Sequence, residues 1–197
     1  EKAIEIDPNN VDVFSNLAAI FYEVGEIQKS INCYQKVIKV QPNNAEAYNN
    51  LGVAFYKEGN LKKAKSCYEE AIKIQPNQAG AHYNLGEIFR DAKEFGKAAD
   101  YFKTTGTSLS NAQFLECIYL SKGLKKYNEI LDTYVKKDPI NLRIAAFASY
   151  VSIKENIKNI YPFCKNPLDY FFSINLKEVF KFSDNFSTQL LKISEKL

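Results

Sequence analysis

Apolar residues recur along this chain in paired blocks at helical spacing, and a proline follows each of the first two complete pairs, whereas Ser110 stands where the third proline is due. In the clearest copy the first block runs from Ala45 to Lys57 and the second from Leu61 to Ile74. Gly59 stands in the break between the blocks, where glycine can end a helix in the left-handed conformation, and Pro76 stops the second block. The pattern predicts two helices joined by a tight turn.

This paired pattern repeats every 34 residues. The stretches that begin at Val11 and Ala79 align with Ala45–Gln78 without a gap. A fixed period of this length is typical of a solenoid, in which each helix hairpin buries its faces by packing on its neighbours. The matched positions are Leu17, Leu51 and Leu85; Phe21, Phe55 and Phe89; Tyr34, Tyr68 and Phe102; and Pro8, Pro42 and Pro76.

Small residues mark the places where paired helices should approach closely. Gly52 and Gly86 lie in the first helix of their repeats, and Ala64 and Ala98 lie in the second. The motif resembles the tetratricopeptide repeat (TPR), and the resemblance implies an all-α, right-handed solenoid of helix hairpins. The residues that carry it in the clearest copy are Tyr48, Leu51, Gly52, Phe55, Ala64, Tyr68, Ala71 and Pro76.

The resemblance divides the chain into four parts. Residues 1–10 match the end of an earlier repeat, and residues 11–107 form three repeats. Residues 108–155 are predicted to form a degenerate fourth repeat, as a hairpin at Asn111–Lys137, followed by a capping helix at Leu142–Glu155. Residues 156–197 are predicted to form an irregular, aromatic-rich segment that ends in a helix from about Ser187.

Composition narrows the function classes only slightly. The formal net charge of the 197 residues is +3, which does not by itself indicate nucleic acid or a membrane surface as a partner. No apolar run approaches the roughly 20 residues that span a bilayer. The absence of methionine, together with the partial first repeat, indicates a fragment of a longer protein.

Cysteine usage favours a reducing compartment. Cys33 and Cys67 lie one period apart, and packed helices place such equivalent positions roughly 10 Å from each other, beyond disulfide reach. We therefore expect free, buried thiols and a cytoplasmic location.

The sequence offers little for catalysis. His82 is the only histidine, and it occupies the aromatic position held by Phe14 and Tyr48 in the preceding repeats, so we expect a packed side chain. A phosphate-binding glycine loop, a nucleophile motif and a metal-ligand cluster are all missing from the pattern. The fragment is predicted to be neither an enzyme nor a binder of a cofactor or metal.

A row of asparagines points to binding. In TPR arrays the first helix of each hairpin lines a concave groove, through positions 2, 5, 6, 9, 12 and 13 of the repeat. Asn16, Asn50 and Asn84 all fall at position 6, with Asn49 and Tyr83 beside them at position 5. The row resembles the asparagine ladder of O-GlcNAc transferases, which implies sequence-tolerant capture of a peptide backbone. The alternative is that these asparagines bond only within or between repeats.

Position 12 supplies a second row: Tyr22, Tyr56 and Arg90. Tyrosines suit a peptide groove because they offer an apolar body and a polar tip, although they could equally be filler between helices. The charged residues on this face, read from the sequence, do not indicate whether an acidic or a basic ligand would be preferred. The charged residues are Asp12, Glu23, Glu46, Glu87 and Asp91, with Lys57 and Arg90.

The leading hypothesis is an interaction module that holds an extended peptide or a partner protein, without nucleic acid or membrane. An alternative is the non-catalytic, substrate-recruiting part of a larger enzyme, either a glycosyltransferase or an oxygenase. The segment Asn159–Tyr170 resembles the region that links TPRs to a putative 2-oxoglutarate, Fe(II)-dependent oxygenase domain in bacterial proteins. A third possibility is a scaffold that self-associates through its terminal repeats.

Overall fold

The computed structural model describes residues 10–138 and 141–156, and within these ranges every regular element is an α-helix. The chain divides into two compact units, Glu1–Glu94 and Phe95–Leu197. The boundary between them falls inside the third predicted repeat.

The first unit is built from stacked helix hairpins. Its helices are α1 (Val11–Glu23), α2 (Ile27–Val40), α3 (Ala45–Glu58), α4 (Leu61–Ile74) and α5 (Ala79–Asp91). Each helix packs on the next along the chain, and α3 also touches α5, so the first helices of successive repeats are neighbours. The helices α3 and α4 match the predicted bounds to within one residue.

Local signals in the sequence set the helix ends. The side chain of Asn44 accepts a hydrogen bond from the backbone N–H of Ala47 at 2.9 Å, which caps α3 at its N-terminus. Gly59 ends that helix with φ +87°, a left-handed conformation that glycine adopts without steric cost. Pro76 follows α4, which ends at Ile74 because proline cannot continue it. The helix ends predicted at Gly59 and before Pro76 are confirmed, and the Asn44 cap is an additional signal that the structure reveals.

The paired helices meet at Gly52. A Cβ atom added there would lie 2.5 Å from Cε1 of Tyr68, a side chain that is only 2% exposed. The close approach predicted for this glycine is therefore present. Burial of equivalent residues varies along the array: Leu51 is buried, whereas Leu17 is half-buried. Equivalent residues can differ in this way because each hairpin is covered only by its own neighbours.

The second unit contains α6 (Phe95–Thr105), α7 (Ser108–Lys137) and α8 (Leu142–Lys154). The helix α7 is broken at Gly123, where φ is 77° and ψ is 179°. The rings of Phe114 and Tyr134 lie 5.2 Å apart by their centroids, whereas a straight helix would separate these residues by about 30 Å. The two arms of α7 therefore fold back on each other around a single glycine.

An aromatic cluster joins α7 to α8. Tyr119, Tyr127 and Phe147 contact one another edge to face, with centroids 5.6 to 5.9 Å apart. The helix α8 is buried over most of its described length, and Ile153 near its end is 36% exposed. The assignment of α7 and α8 to a fourth repeat and a capping helix stays a prediction.

Several predictions concern residues outside the described ranges. These are the earlier repeat before Asn10, the aromatic tail from residue 157 onward, its terminal helix and the segment Asn159–Tyr170. In the described part of the chain, no helix is long and apolar enough to cross a membrane.

The cysteines in the described ranges are free, as the period predicted. Cys33 is buried, but Cys67 is only half-buried, so full burial was wrong for the second thiol. Burial nevertheless raises the pKa of Cys67 to about 11, partly offset by Lys63, so this thiol is protonated at neutral pH.

We expect Gly52→Ala to lower the free energy of unfolding by about 1–3 kcal/mol, because the added methyl group displaces the buried Tyr68 ring. Gly80→Ala is the matched control in the same unit, since its Cβ would meet atoms no closer than 3.5 Å. Urea unfolding of both variants measures the difference. Equal stability of the two would contradict the proposed helix contact.

Gly59 and Gly123 adopt different positive-φ conformations, so asparagine should restore stability at one position and not at the other. Gly59→Ala should lower the free energy of unfolding by about 1 kcal/mol. Gly59→Asn should lower it less, because asparagine tolerates the left-handed region. Gly123→Ala should cost about 1–3 kcal/mol, and asparagine should not help, since the backbone there is in a region reserved almost entirely for glycine. Thermal unfolding of the four variants tests this, and rescue by asparagine at Gly123 would exclude the described break.

Candidate functional site

The helices α1, α3 and α5 present the residues that the sequence selected for binding. We call the residues at positions 2, 5, 6, 9, 12 and 13 of the three repeats, counted from Val11, Ala45 and Ala79, the first-helix face. All of these residues lie in the first compact unit. Asn16 and Tyr56 are exposed on this face, and the half-buried members of the predicted set are Asn49, Asn50, Asn84, Tyr22, Tyr83 and Arg90.

Three asparagines form a continuous chain across two repeats. Asn84 donates through Nδ2 to Oδ1 of Asn49 at 3.0 Å, and Asn49 donates through Nδ2 to Oδ1 of Asn50 at 3.1 Å. The first of these bonds joins α5 to α3. Asparagines of this face therefore do form hydrogen bonds between repeats, which was the alternative to ligand binding. The chain leaves Oδ1 of Asn84 without a hydrogen-bond donor among the described residues. Asn16 stands apart, because it has no such side-chain bond within the described ranges.

The tyrosine row is linked across repeats as well. The hydroxyl of Tyr56 donates to Oδ2 of Asp91 at 3.1 Å, although 41% of the Tyr56 side chain stays exposed. Burial, followed by the charge of Asp91, raises the pKa of Tyr56. Burial also raises the pKa of Tyr68, with Tyr56 and Tyr22 as neighbouring contributors. These phenols therefore remain protonated donors at neutral pH.

Arg90 presents little of its charge on this face. Its side chain is 9% exposed, and Nη2 lies 2.8 Å from Oε2 of Glu87 and 3.9 Å from Oδ1 of Asp91. Its guanidinium charge is thus balanced within its own helix. A direct ligand contact, as the sequence suggested, would have to compete with this pairing.

A recess of about 220 Å³ opens where the first two repeats meet. Two of its lining residues, Tyr22 and Asn50, were predicted from the sequence. The others are Ala19, Glu23, Tyr34 and Val53. The recess therefore brings together members of the asparagine row and the tyrosine row.

Tyr34 was the lining residue that sequence reasoning assigned only to the core. It is 6% exposed and comes from α2, the second helix of its hairpin. Burial raises the pKa of its hydroxyl, the hydrogen bond with the amide of Asn50 lowers it, and the charge of Glu46 raises it. The available signal was the hydroxyl itself, since the equivalent residue two repeats later is Phe102.

His82 packs as predicted. It is 9% exposed, and its Nε2 lies 2.8 Å from the carbonyl oxygen of Pro76, in the turn that precedes α5. Over residues 10–138 and 141–156, no group of three His, Cys, Asp or Glu side chains is placed to hold a metal ion.

Family models identify the repeats directly. A TPR repeat model matches residues 18–59, and two tetratricopeptide repeat models match residues 1–32 and 45–78. The first part of the chain thus carries tetratricopeptide repeats, as its residues predicted. No curated protein matches the sequence.

Solved structures agree on the fold. The pilF protein of Pseudomonas aeruginosa aligns with a TM-score of 0.68 at 19% identity, over 97% of this chain and 86% of its own. YrrB, described as a TPR protein with an unusual peptide-binding site, aligns with a TM-score of 0.67 at 19% identity, over 97% and 96%. A MamA structure aligns with a TM-score of 0.60 at 20% identity, over 80% and 82%. At such identities the similarity establishes the fold, and the predicted all-α TPR solenoid is confirmed.

The asparagine chain predicts a measurable difference between two similar variants. Asn49→Ala removes both links and should cost roughly 1 kcal/mol of unfolding free energy, because two partners lose a hydrogen bond. Asn16→Ala makes the same change in a first helix where no such bond exists, and it should stay within about 0.5 kcal/mol of the parent. Chemical denaturation compares them, and an equal effect would mean that the bonds contribute nothing to stability.

Proposed function

We propose that the chain is a protein-interaction module, whose first-helix face binds an extended segment of a partner protein. The observation that carries this proposal is the recess at the junction of the first two repeats, where Tyr22 and Asn50 meet Tyr34. The recess lies on the same face as the asparagine chain. A ligand could therefore place a side chain in the recess and pair its backbone with the neighbouring amides.

The amides suit the backbone of a peptide. An asparagine side chain carries both donors and acceptors, so it can pair with main-chain groups whatever the ligand sequence. Oδ1 of Asn84 remains available as an acceptor in the described part of the chain. The amide of Asn50 borders the recess.

The hydrogen bonds between repeats support binding as well as stability. Asn49 holds Asn50 and Asn84 in position on two different helices, and Asp91 holds Tyr56. Side chains that are already ordered lose less conformational entropy when a ligand arrives. The hydrogen bonds among the asparagines stabilise the stacked repeats, and they therefore also hold the amide groups in position for a ligand.

The fold has a precedent for this use, since the solved TPR protein YrrB is described as having a peptide-binding site. The repeats themselves favour such a role, because stacked hairpins create an extended surface with a regular spacing of side chains.

The double variant Asn50→Ala/Asn84→Ala tests the proposal. A displayed library of random peptides is selected on the parent protein, and the best binder is synthesised with a fluorescent label. We expect roughly thirtyfold weaker binding to the double variant by fluorescence anisotropy, because two amide hydrogen bonds of about 1 kcal/mol each are lost.

Asn43→Ala/Asn77→Ala is the matched control. It removes two asparagines one period apart from the exposed turns after α2 and α4, outside the first-helix face. Ala19→Trp gives an independent test, since it fills the recess from an exposed position and removes no hydrogen bond. Selected peptides whose affinity is unchanged by both face variants would overturn the proposal. A lower melting temperature of Asn50→Ala/Asn84→Ala with intact binding would assign the row to stability.

A further inference from the structure

The structure changes the balance of charge on the first-helix face. By sequence its two cations offset part of the acidic charge, but Arg90 is largely buried and paired with Glu87. Lys57 is exposed and is the one cation of this face outside that pairing. Among the described residues, the carboxylates of Asp12, Glu23 and Glu46 have no ion-pair partner. The surface available to a ligand on this face is therefore acidic.

This negative charge gathers at the recess. Glu23 lines it, and Glu46 lies within electrostatic range of the Tyr34 hydroxyl, whose pKa it raises. No lysine or arginine is among the lining residues. Tyr34 is more than nine-tenths buried, and its hydroxyl interacts with the side-chain amide of Asn50, which also lines the recess. A ligand group in the recess would thus meet the carboxylate of Glu23 and two tyrosines, with the charge of Glu46 adding to the negative field.

The size of the recess fits one side chain. Its volume of about 220 Å³ is below the roughly 300–1,000 Å³ of sites that enclose a drug-sized molecule. Aromatic rings beside carboxylates attract cations, because the face of a ring carries partial negative charge. Long basic side chains can lay an apolar stem along such rings and keep the charged end at the rim.

We propose that this recess accepts a lysine or arginine side chain of the bound segment, with its stem against Tyr22 and Tyr34 and its charge at Glu23, in a negative field to which Glu46 contributes from one helical turn before Asn50. The inference rests on the proposed function and specifies its ligand as a basic, extended segment. An acidic segment or a nucleic-acid backbone would be repelled by the unpaired carboxylates. A neutral side chain would leave those carboxylates without a counter-charge.

The peptides selected from the random library test this directly. We expect enrichment in lysine or arginine, and the best binder is then compared with a version in which one basic residue is replaced by norleucine, which keeps the stem and removes the charge. Glu23→Gln/Glu46→Gln should bind the basic peptide about tenfold more weakly than the parent does and should bind the norleucine peptide unchanged. Raising the salt concentration should weaken only the basic peptide.

The control is Glu26→Gln/Glu69→Gln, which removes the same charge from exposed residues outside the first-helix face. All four carboxylates are exposed, so the core is untouched in both double variants. Selected peptides that depend on Asn50 and Asn84 but show no basic enrichment, or no response to the Glu23 and Glu46 changes, would overturn this inference and leave the proposed function standing. Peptides that respond to no change on the face would defeat the proposed function itself.

Discussion

The contact between the paired helices of a repeat is the constraint on which the rest of the first unit depends. At Gly52 the two helices are so close that a single Cβ atom would collide with Tyr68. Neither helix buries enough apolar surface alone, so each hairpin gains stability only from this contact and from the next repeat. Close packing therefore determines where every first helix lies relative to its neighbours.

The candidate site follows from that packing. Because α3 and α5 are held side by side, Asn49 and Asn84 come within hydrogen-bond distance although they lie in different repeats. The same stacking places Tyr34, from a second helix, beside Asn50 from the next first helix. Stability and the proposed binding thus draw on the same groups. Variants at the face must accordingly be read by affinity and unfolding together.

Much of the fold could be predicted because its determinants are local. The left-handed glycine at Gly59, the cap at Asn44 and the stop before Pro76 each act over a few residues, and the helices α3 and α4 matched their predicted bounds. The fold of the second unit was harder to predict from the sequence. Its two arms turn at Gly123, between Lys122 and Leu124, and no polar residue equivalent to Asn60 follows this glycine, so the pattern did not indicate so short a turn. Of the candidate binding residues, Tyr22 and Asn50 line the recess, but the place of Tyr34 in its wall and the pairing of Arg90 were not anticipated, and their role in binding stays a prediction.

The 34-residue period by itself determined the helix hairpins, their order and the set of residues that share the first-helix face, because helical spacing and burial leave a direct record in residue type. The tertiary structure decided which of those residues touch. It paired Arg90 with Glu87, joined Asn84 to Asn49 and opened a recess between Tyr22 and Tyr34. Such contacts join residues far apart in the chain, and they depend on how closely neighbouring helices stack. A repeat pattern records the spacing of side chains along each helix, but it does not record the distances between helices.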